Sequence, residues 1–388
     1  MVRRGEQDSA GRLPSEEQLL LLRAALLPGP EGRAAGSAWL AQVDLERLGR
    51  ASGRLLPLLY DRLKRDGVDH PLMPMLKGVK RKAWYRNSML FHRASEAIRA
   101  LGQAGIDVML IKGAAMTIEY YRDWGLRTMD DVDVLVHHND ASATIQLLRS
   151  RGWKSLEPWF ERKGYSSLTR KYEHAMHFPH SSGQDLDLHW NLLYSSIGPD
   201  RDDDFWSASR GATFDGLPVR ILDPADQLLH ILVHGAAWDT ISPIRWIPDA
   251  VMLLRTTSNL DWERFKFQAR KRKLTLQIGG ALEYLQSSFC DLLPSDLLDE
   301  VHRIPVSRLE KFEYNGILKP VTGVVELTFK NLIHYWRISE GMSLWKSARS
   351  FPDFLCCHWR VDRKWQLPAA LCKKLLRKML RLPPNQLA

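Results

Sequence analysis

The sequence predicts an α+β protein in which a small sheet-containing core lies between two helical regions. Apolar residues follow helical spacing over residues 15–103, form runs of strand length over 104–223, and return to helical spacing after Pro224. The 388 residues are enough for more than one hydrophobic core. Hydrophobic residues at 45% and charged residues at 26% indicate a folded chain rather than a disordered one.

These changes in pattern divide the chain into five expected segments. They are a disordered N-terminus, an N-terminal helical region, an α/β core, a C-terminal helical domain and a basic tail with an amphipathic helix. We expect them at residues 1–14, 15–103, 104–223, 224–345 and 346–388, respectively.

Four helices are predicted in the N-terminal region. Ser15 and Gln18 form a capping-box pattern ahead of an apolar run, and Pro28-Gly29-Pro30 is expected to end that first helix. The predicted helices cover about Leu19–Leu27, Ala38–Leu48, Leu55–Arg65 and Met75–Gly102.

The core is predicted to combine short strands with helices. Ser181-Ser182-Gly183 is a hairpin-like link between two of the strands. The predicted strands are Ile106–Ile111, Val132–Val136, His174–Phe178, Leu186–Trp190 and Val219–Leu222, with helices at Ala114–Tyr121 and Ala141–Arg151. Downstream helices are predicted at Gln227–Ala237, Ile244–Leu254 and Trp262–Cys290, with more to about Trp345.

Composition excludes several classes of protein. The four cysteines are too few and too irregularly spaced for a disulfide framework or a zinc site. No uncharged apolar run reaches the ~18 residues that a membrane span needs. We therefore expect a reducing, cytoplasmic location.

The net charge of +10 belongs mainly to the tail. From Lys346 onward there are ten basic and two acidic residues, a net charge of +8, which leaves +2 for the preceding 345 residues. This near-neutral body disfavours nucleic acid as a partner, because backbone binding needs a basic track near the site.

Acidic residues repeat on two predicted strands. Residues i and i+2 of a strand point to the same face, so Asp131 and Asp133 project together. Asp185, Asp187 and His189 share a face in the same way. Carboxylate oxygens in this arrangement suit Mg²⁺, and adjacent strands would form a two-metal site for nucleotidyl transfer. The alternative, a solvated strand edge, is the commoner outcome for an isolated Asp-x-Asp.

Three motifs carry a resemblance to a known family. They are Leu-x-Lys-Gly-Ala at 110–114, Gly-Leu-Arg-x-x-x-Asp-x-Asp-x-Leu-Val at 125–136, and Asp-Leu-His-Trp at 187–190. Residues 57–63, 229–234 and 245–249 add weaker similarity. Over about residues 15–260 the chain resembles the bacterial nucleotidyltransferase-like family within the polymerase-β nucleotidyltransferase superfamily.

The resemblance implies a fold, a cofactor and site residues. It implies a mixed sheet covered by helices, with Mg²⁺ and a nucleotide bound at Asp131 and Asp133. Asp187 is the implied third carboxylate, which assists attack by the acceptor oxygen. These three residues are the expected catalytic and metal-binding residues, and ATP is the expected NTP.

Phosphate binding is expected at Lys112, Gly113 and Arg127. The superfamily usually has a Gly-Ser pair before the Asp-x-Asp strand, where this chain has Lys112-Gly113-Ala114. The Gly113 amide and the Lys112 ammonium are candidates to replace it. Arg127 precedes Asp131 by four residues and is either a bidentate phosphate ligand or an ordinary loop arginine.

Other polar pairs leave alternatives open. His230 and His234 stand four residues apart on a predicted helix, where we expect one to pack internally and one to line the cleft. Arg245 and Asp249 have the spacing of an intrahelical ion pair. His189 is a base, an orienting residue or a structural histidine.

The C-terminal tail carries a separate signal. Apolar positions within residues 371–382 form one stripe, and Lys and Arg fill the other face. Such a helix either lies on an anionic membrane, docks a partner or contacts nucleic acid, or it covers the protein's own core. We favour the second interpretation.

The leading functional hypothesis is a Mg²⁺-dependent nucleotidyltransferase. It moves an NMP from an NTP to an unidentified small-molecule or protein acceptor. The alternative is a non-catalytic nucleotide-binding or regulatory module that keeps the fold. A peripheral membrane or partner contact through the basic tail is a further expectation.

Overall fold

The computed structural model describes residues 14–154, 165–179, 184–235, 244–289, 291–318 and 324–379. Its N-terminal part is helical. The helices are α1 (Glu16–Leu26), α2 (Gly29–Gln42), the single turn α3 (Arg50–Gly53), α4 (Leu56–Arg65) and the long α5 (Met73–Gln103).

The start of the chain follows the sequence prediction in one helix and departs from it in the next. Ser15 and Gln18 form the predicted capping box of α1. The predicted Ala38–Leu48 helix is wrong in its bounds, because α2 already begins at Gly29 and ends at Gln42. Pro30 stands in the first turn of α2, where a missing backbone N–H costs nothing, so the same residues end one helix and begin another.

Six strands form one mixed sheet. They are β1 (Met109–Leu110), β2 (Asp131–Leu135), β3 (Ala175–Phe178), β4 (Asp185–His189), β5 (Arg210–Phe214) and β6 (Leu217–Ile221). Their order is β3-β4-β2-β1-β6-β5. The β2–β4 and β1–β6 pairs are parallel and the others are antiparallel. The predicted α+β class and the mixed sheet are confirmed.

Two strands differ from the prediction. The buried run Ile106–Ile111 contributes only the two-residue β1. β5 was not predicted, because its Arg-Gly-Ala-Thr-Phe sequence lacks an apolar run and most of it is exposed. Asp215 and Gly216, both with positive φ, form its turn to β6, and Asp-Gly is a known hairpin signal. The Ser181–Gly183 link lies outside the described residues, although β3 and β4 do pair antiparallel.

The sheet has one covered apolar face and one polar face. Val132, Val134 and Leu186 are buried against α5 and α7 (Ala141–Ser150). Short elements line the opposite side, among them α6 (Lys112–Met116) and the π-helical turn Thr117–Tyr121. This polar side faces α10 (Pro224–Gly235) and α11 (Trp246–Thr256).

The remaining helices flank the polar side and extend the molecule. They are α8 (Tyr165–Tyr172), α9 (Asp203–Ala208), α12 (Trp262–Lys271), α13 (Thr275–Ser288), α14 (Leu297–Arg303), α15 (Arg308–Leu318), α16 (Val324–Ile338), α17 (Leu344–Trp359) and α18 (Leu367–Met379). The predicted single helix Trp262–Cys290 is wrong. It is interrupted between α12 and α13, where Lys273 has φ of +53°. Among the described residues, no helix is long and apolar enough to cross a membrane.

Candidate functional site

The two acidic strands are neighbours. β2 and β4 run parallel in a register that pairs Asp131 with Asp185 and Asp133 with Asp187. The polar face of the sheet therefore carries all four carboxylates within two adjacent strands, as the sequence pattern predicts for neighbouring strands.

Asp133 lies at the centre of this face. Its Oδ1 is 2.6 Å from the Lys112 Nζ and 3.1 Å from the His189 Nε2, and those two nitrogens are 3.3 Å apart. Burial alone would raise the pKa of Asp133, but the neighbouring Lys112 and His189 outweigh it and hold the pKa well below its usual range. Asp133 is thus ionised, and Lys112 stays charged because carboxylates surround it.

Asp187 has a partner that sequence reasoning missed. The Nδ1 of His177 on β3 contacts the Asp187 Oδ1, and its Nε2 is 3.4 Å from the Asp185 Oδ2. Hydrogen bonding to Asp187 raises the pKa of His177, despite its partial burial. The alternation of β3 places His177 opposite Asp187 in the register, so the signal was in the pattern once the strand pairing was known.

The backbone at Lys112 and Gly113 is tightly constrained by its conformation and its neighbours. Lys112 has φ of +49°, a left-handed conformation that non-glycine residues adopt at a cost. A Cβ at Gly113 would lie 2.4 Å from the Arg127 Nη1 and 2.8 Å from the Met129 Sδ. Any larger residue at position 113 would therefore have to displace the Arg127 or Met129 side chain.

Arg127 lines the same cavity as the acidic residues, and its guanidinium is paired with the Asp249 carboxylate. Its Nε is 2.9 Å from the Asp249 Oδ1 and its Nη2 is 2.9 Å from the Asp249 Oδ2, a bidentate ion pair. Tyr121 donates its hydroxyl to the same carboxylate at 2.9 Å. The buried Arg127 therefore joins the loop before β2 to α11.

The pairing of Arg127 with Asp249 leaves Arg245 without its predicted partner. The sequence predicts an ion pair with Asp249, but Asp249 is occupied by Arg127. Within the described parts of the chain, the Arg245 guanidinium makes no ion pair or hydrogen bond, and the residue lies half-buried on the wall of the cleft. Burial, and then the nearby charge of Arg127, lowers its pKa.

A second group of arginines lies at the edge of the cleft, around Asp130. Arg50 is 3.0 Å from its carboxylate, Arg54 contacts the same oxygen, and Arg86 is 3.9 Å away. Burial and the neighbouring charges of Arg245 and Arg50 lower the pKa of Arg54 to about 10. The three arginines therefore carry more positive charge than the single carboxylate of Asp130 neutralises.

Two cavities meet at this site. The first, of about 310 Å³, contains the acidic residues and Gly113; its lining includes Asp131, Asp133 and Asp187. The second, of about 510 Å³, extends toward α13, α15 and α16. Both are lined by Lys112, Arg245, His230 and His234. His230 is buried and His234 is exposed, and both contribute to the walls.

The donor set suits a divalent cation. Ligand atoms of Asp133, Asp187 and His189 all lie within 4.8 Å of one another, and Asp131 adds a carboxylate on the same face. Carboxylate oxygens are the ligands that Mg²⁺ prefers, and an imidazole nitrogen is also accepted by softer ions. Lys112 and His177 now contact these carboxylates, so an ion would replace their hydrogen bonds.

Comparison with known proteins adds to this geometry. A crystallised antigenic nucleotidyltransferase-like protein from Paracoccidioides brasiliensis is 18% identical, with 55% of this chain and 91% of that chain covered and a TM-score of 0.35. No curated protein matches the chain. The model of a family described as uncharacterised nucleotidyltransferase matches residues 47–289, which include the sheet, both cavities' shared wall and all the carboxylates above. The chain belongs to this family of uncharacterised nucleotidyltransferases.

Proposed function

We propose that the protein is a Mg²⁺-dependent nucleotidyltransferase of the polymerase-β type. It would transfer an NMP from an NTP, ATP being the expected donor, to a small-molecule or protein acceptor. The observation that carries this proposal is the convergence of Asp131, Asp133 and Asp187 on one face of the sheet, inside a cavity with cationic walls.

The acidic residues have different roles in this proposal. Asp131 and Asp133 hold the metal–nucleotide complex. A bound Mg²⁺ supplies neutralisation of phosphate charge. Lys112 and Gly113 approach the phosphates from α6, and the guanidinium of Arg245, which lines the same cavity, adds a second positive charge. Arg127 acts as a positioning residue, because its donors to Asp249 fix the loop that precedes Asp131.

Asp187 is assigned to the acceptor. The acceptor oxygen forms a bond to the α-phosphorus, the bond to the bridging oxygen breaks, and pyrophosphate leaves. Asp187 receives the acceptor proton or orients the acceptor hydroxyl, and His177 holds its carboxylate in place.

We assign the acceptor to the larger cavity. Its lining is mainly apolar and includes Leu192, Leu274 and Leu276. A volume of about 510 Å³ lies within the range of small-molecule sites. It shares Lys112 and Arg245 with the acidic cavity, so a molecule in it would reach the same phosphates. This arrangement favours a small molecule over a protein side chain.

The direct experiment follows label from each α-³²P-labelled NTP, with Mg²⁺ or Mn²⁺, in a cell extract. We expect wild type to label an acceptor and Asp133→Asn to label nothing. Asp107→Asn is the matched control, because Asp107 is exposed just before β1 and lies outside both cavity linings. Equal labelling by wild type and Asp133→Asn would contradict the proposal.

The acceptor assignment has its own variant. Leu276→Trp places an indole in the larger cavity and should abolish label transfer while leaving NTP affinity within about threefold. A loss of NTP affinity would instead assign this cavity to the nucleoside of the donor.

A non-catalytic nucleotide-binding module is the second candidate. The ion pair of Lys112 with Asp133, at a position where the superfamily usually has Gly-Ser, favours it. Metal-dependent NTP binding without label transfer to any extract component would support this candidate over the enzyme.

A further inference from the structure

The connection between α16 and α17 exposes an unusual set of large apolar side chains. Leu344 is 90% exposed, Trp345 75% and Trp336 63%, and Leu332 and Met342 are also exposed. Single exposed apolar residues are ordinary, but five within fourteen residues form a patch, and such patches mark binding surfaces.

This patch is part of well-packed structure. On the inner side of the same helices, Tyr335, Ile338 and Phe354 are buried in one cluster. The Tyr335 hydroxyl is 2.5 Å from the Ser347 carbonyl oxygen, which ties α16 to α17. The two helices that carry the exposed side chains are therefore already packed against a hydrophobic core on their other side.

Positive charge lies next to the patch. Lys346 follows Trp345 directly and Arg349 lies four residues after it; both are exposed, as are Arg363 and Lys373 further along. Residues from Lys346 onward carry a net charge of +8. Trp365, 71% exposed, lies among these cations.

The described apolar side chains of helix α18 lie outside the buried core. None of the α18 side chains that the structure describes belongs to the three buried clusters, and Leu376 is 53% exposed. Leu367 and Leu371 are only half-buried. These exposures weigh against the sequence interpretation that the tail covers the protein's own core.

We propose that this surface, formed by residues 332–379, docks the protein on an anionic phospholipid bilayer. Trp and Leu side chains insert at the headgroup boundary, where tryptophan is favoured, and the cations contact the lipid phosphates. A nucleic acid would leave Leu344 and Met342 without a partner. A second copy of the chain would bring two surfaces of net charge +7 together.

Vesicle sedimentation of the full chain tests the proposal. We expect binding to vesicles of equal parts phosphatidylcholine and phosphatidylglycerol, weak binding to phosphatidylcholine alone, and a decrease with added salt. The Leu344→Ser/Trp345→Ser double variant should bind about tenfold more weakly with an unchanged Tm, since both side chains are exposed. The Arg349→Glu/Lys373→Glu variant should bind the anionic vesicles equally poorly.

Trp84→Ser/Met89→Ser is the matched control, because these side chains are exposed on α5 in the N-terminal helical region. It should bind vesicles like wild type. The proposal is overturned if wild type does not sediment with the anionic vesicles, or if the control loses as much binding as the patch variant.

A concentration-dependent dimer abolished by Leu344→Ser/Trp345→Ser, without vesicle binding, would assign the patch to a second copy. RNA binding lost in the same variant, again without vesicle binding, would overturn the bilayer assignment too.

Discussion

The folded state disfavours ionisation of the Asp131 carboxyl group. Burial raises its pKa to about 6, and the charges of Asp133 and Asp187 contribute. An unfolded aspartate titrates near pH 4. As pH rises from about 4 to 6 the unfolded chain loses its proton first, so ionising Asp131 costs folding free energy that reaches its full value above about pH 6.

The Asp131→Asn variant should therefore be more stable than wild type above pH 6, by about 1–2 kcal/mol, with the difference fading toward pH 4. It should also lose Mg²⁺-dependent nucleotide binding. Thermal melts between pH 4 and 8 and a binding titration measure the two effects. A variant that is less stable at pH 7 would contradict the charge argument, and an unchanged nucleotide affinity would remove Asp131 from the metal site.

Gly113 is required by close contacts rather than by chemistry of its own. Gly113→Ala would place a methyl group 2.4 Å from Arg127 and 2.8 Å from Met129, so we expect a loss of about 1–3 kcal/mol in unfolding free energy. Gly102→Ala is the control, since nothing lies within 4 Å of its added Cβ and it stands in α5. A melt in which both variants behave alike would show that the Arg127 contact is not strained.

Asp187 should matter for turnover more than for nucleotide binding. Its proposed interaction with the acceptor oxygen is strongest in the transition state, so Asp187→Asn should reduce label transfer by at least about a hundredfold while nucleotide affinity changes little. Equilibrium binding and label transfer measured on the same preparation separate the two. If both fall equally, Asp187 has a ground-state binding role; if neither falls, it has no role in the site.

Among individual residues, the sequence predicted the positions of those that follow from the alternation of side chains along a strand. Asp131, Asp133 and Asp187 lie where a two-residue period puts them. The Arg127–Asp249 pair joins positions 122 residues apart and could not be read from local spacing. The local Arg245–Asp249 spacing was misleading, because a distant partner gave Asp249 a better bidentate geometry.

At the scale of elements, the break between α12 and α13 is stabilised by Arg337. Its Nη1 and Nη2 donate to the carbonyl oxygens of Arg272 and Lys273 at 2.7 Å each, and its Nε is 2.6 Å from Glu313. These two carbonyls lie in the break itself, between the last residue of α12 and the first residue of α13, where helix ends leave carbonyl groups without intrahelical partners. Helix periodicity continues through this region, so the sequence predicted one helix where a contact from α16 stabilises two.

Arg337→Met should consequently cost about 3 kcal/mol, because it leaves Glu313 without its cation and exposes two carbonyls to an apolar side chain. Chemical denaturation measures the loss, with Lys311→Met on the exposed side of α15 as the control. A change below about 0.5 kcal/mol would show that the break is maintained without Arg337.

At the scale of the molecule, the site belongs to two regions of the chain. Strands β2 and β4 and helix α6 supply the carboxylates, Lys112 and Gly113, whereas α10, α13, α15 and α16 enclose the larger cavity. Composition predicted the order helices, sheet, helices. It could not predict that the C-terminal helices would form the far wall of the cleft, because that depends on packing between distant segments.

The tail should be separable from this site. Among its described side chains, helix α18 contributes none to either cavity lining and none to the three buried clusters. Truncation after Pro368 should therefore keep Mg²⁺-nucleotide affinity within about threefold, which is under ~0.7 kcal/mol. It should leave Tm nearly unchanged and weaken binding to anionic vesicles, because four of the tail's cations in residues 373–378 are removed.

Early melting or aggregation would instead mean that α18 covers the C-terminal helices. Loss of nucleotide affinity in a truncation that melts like wild type would contradict the separation of tail and site.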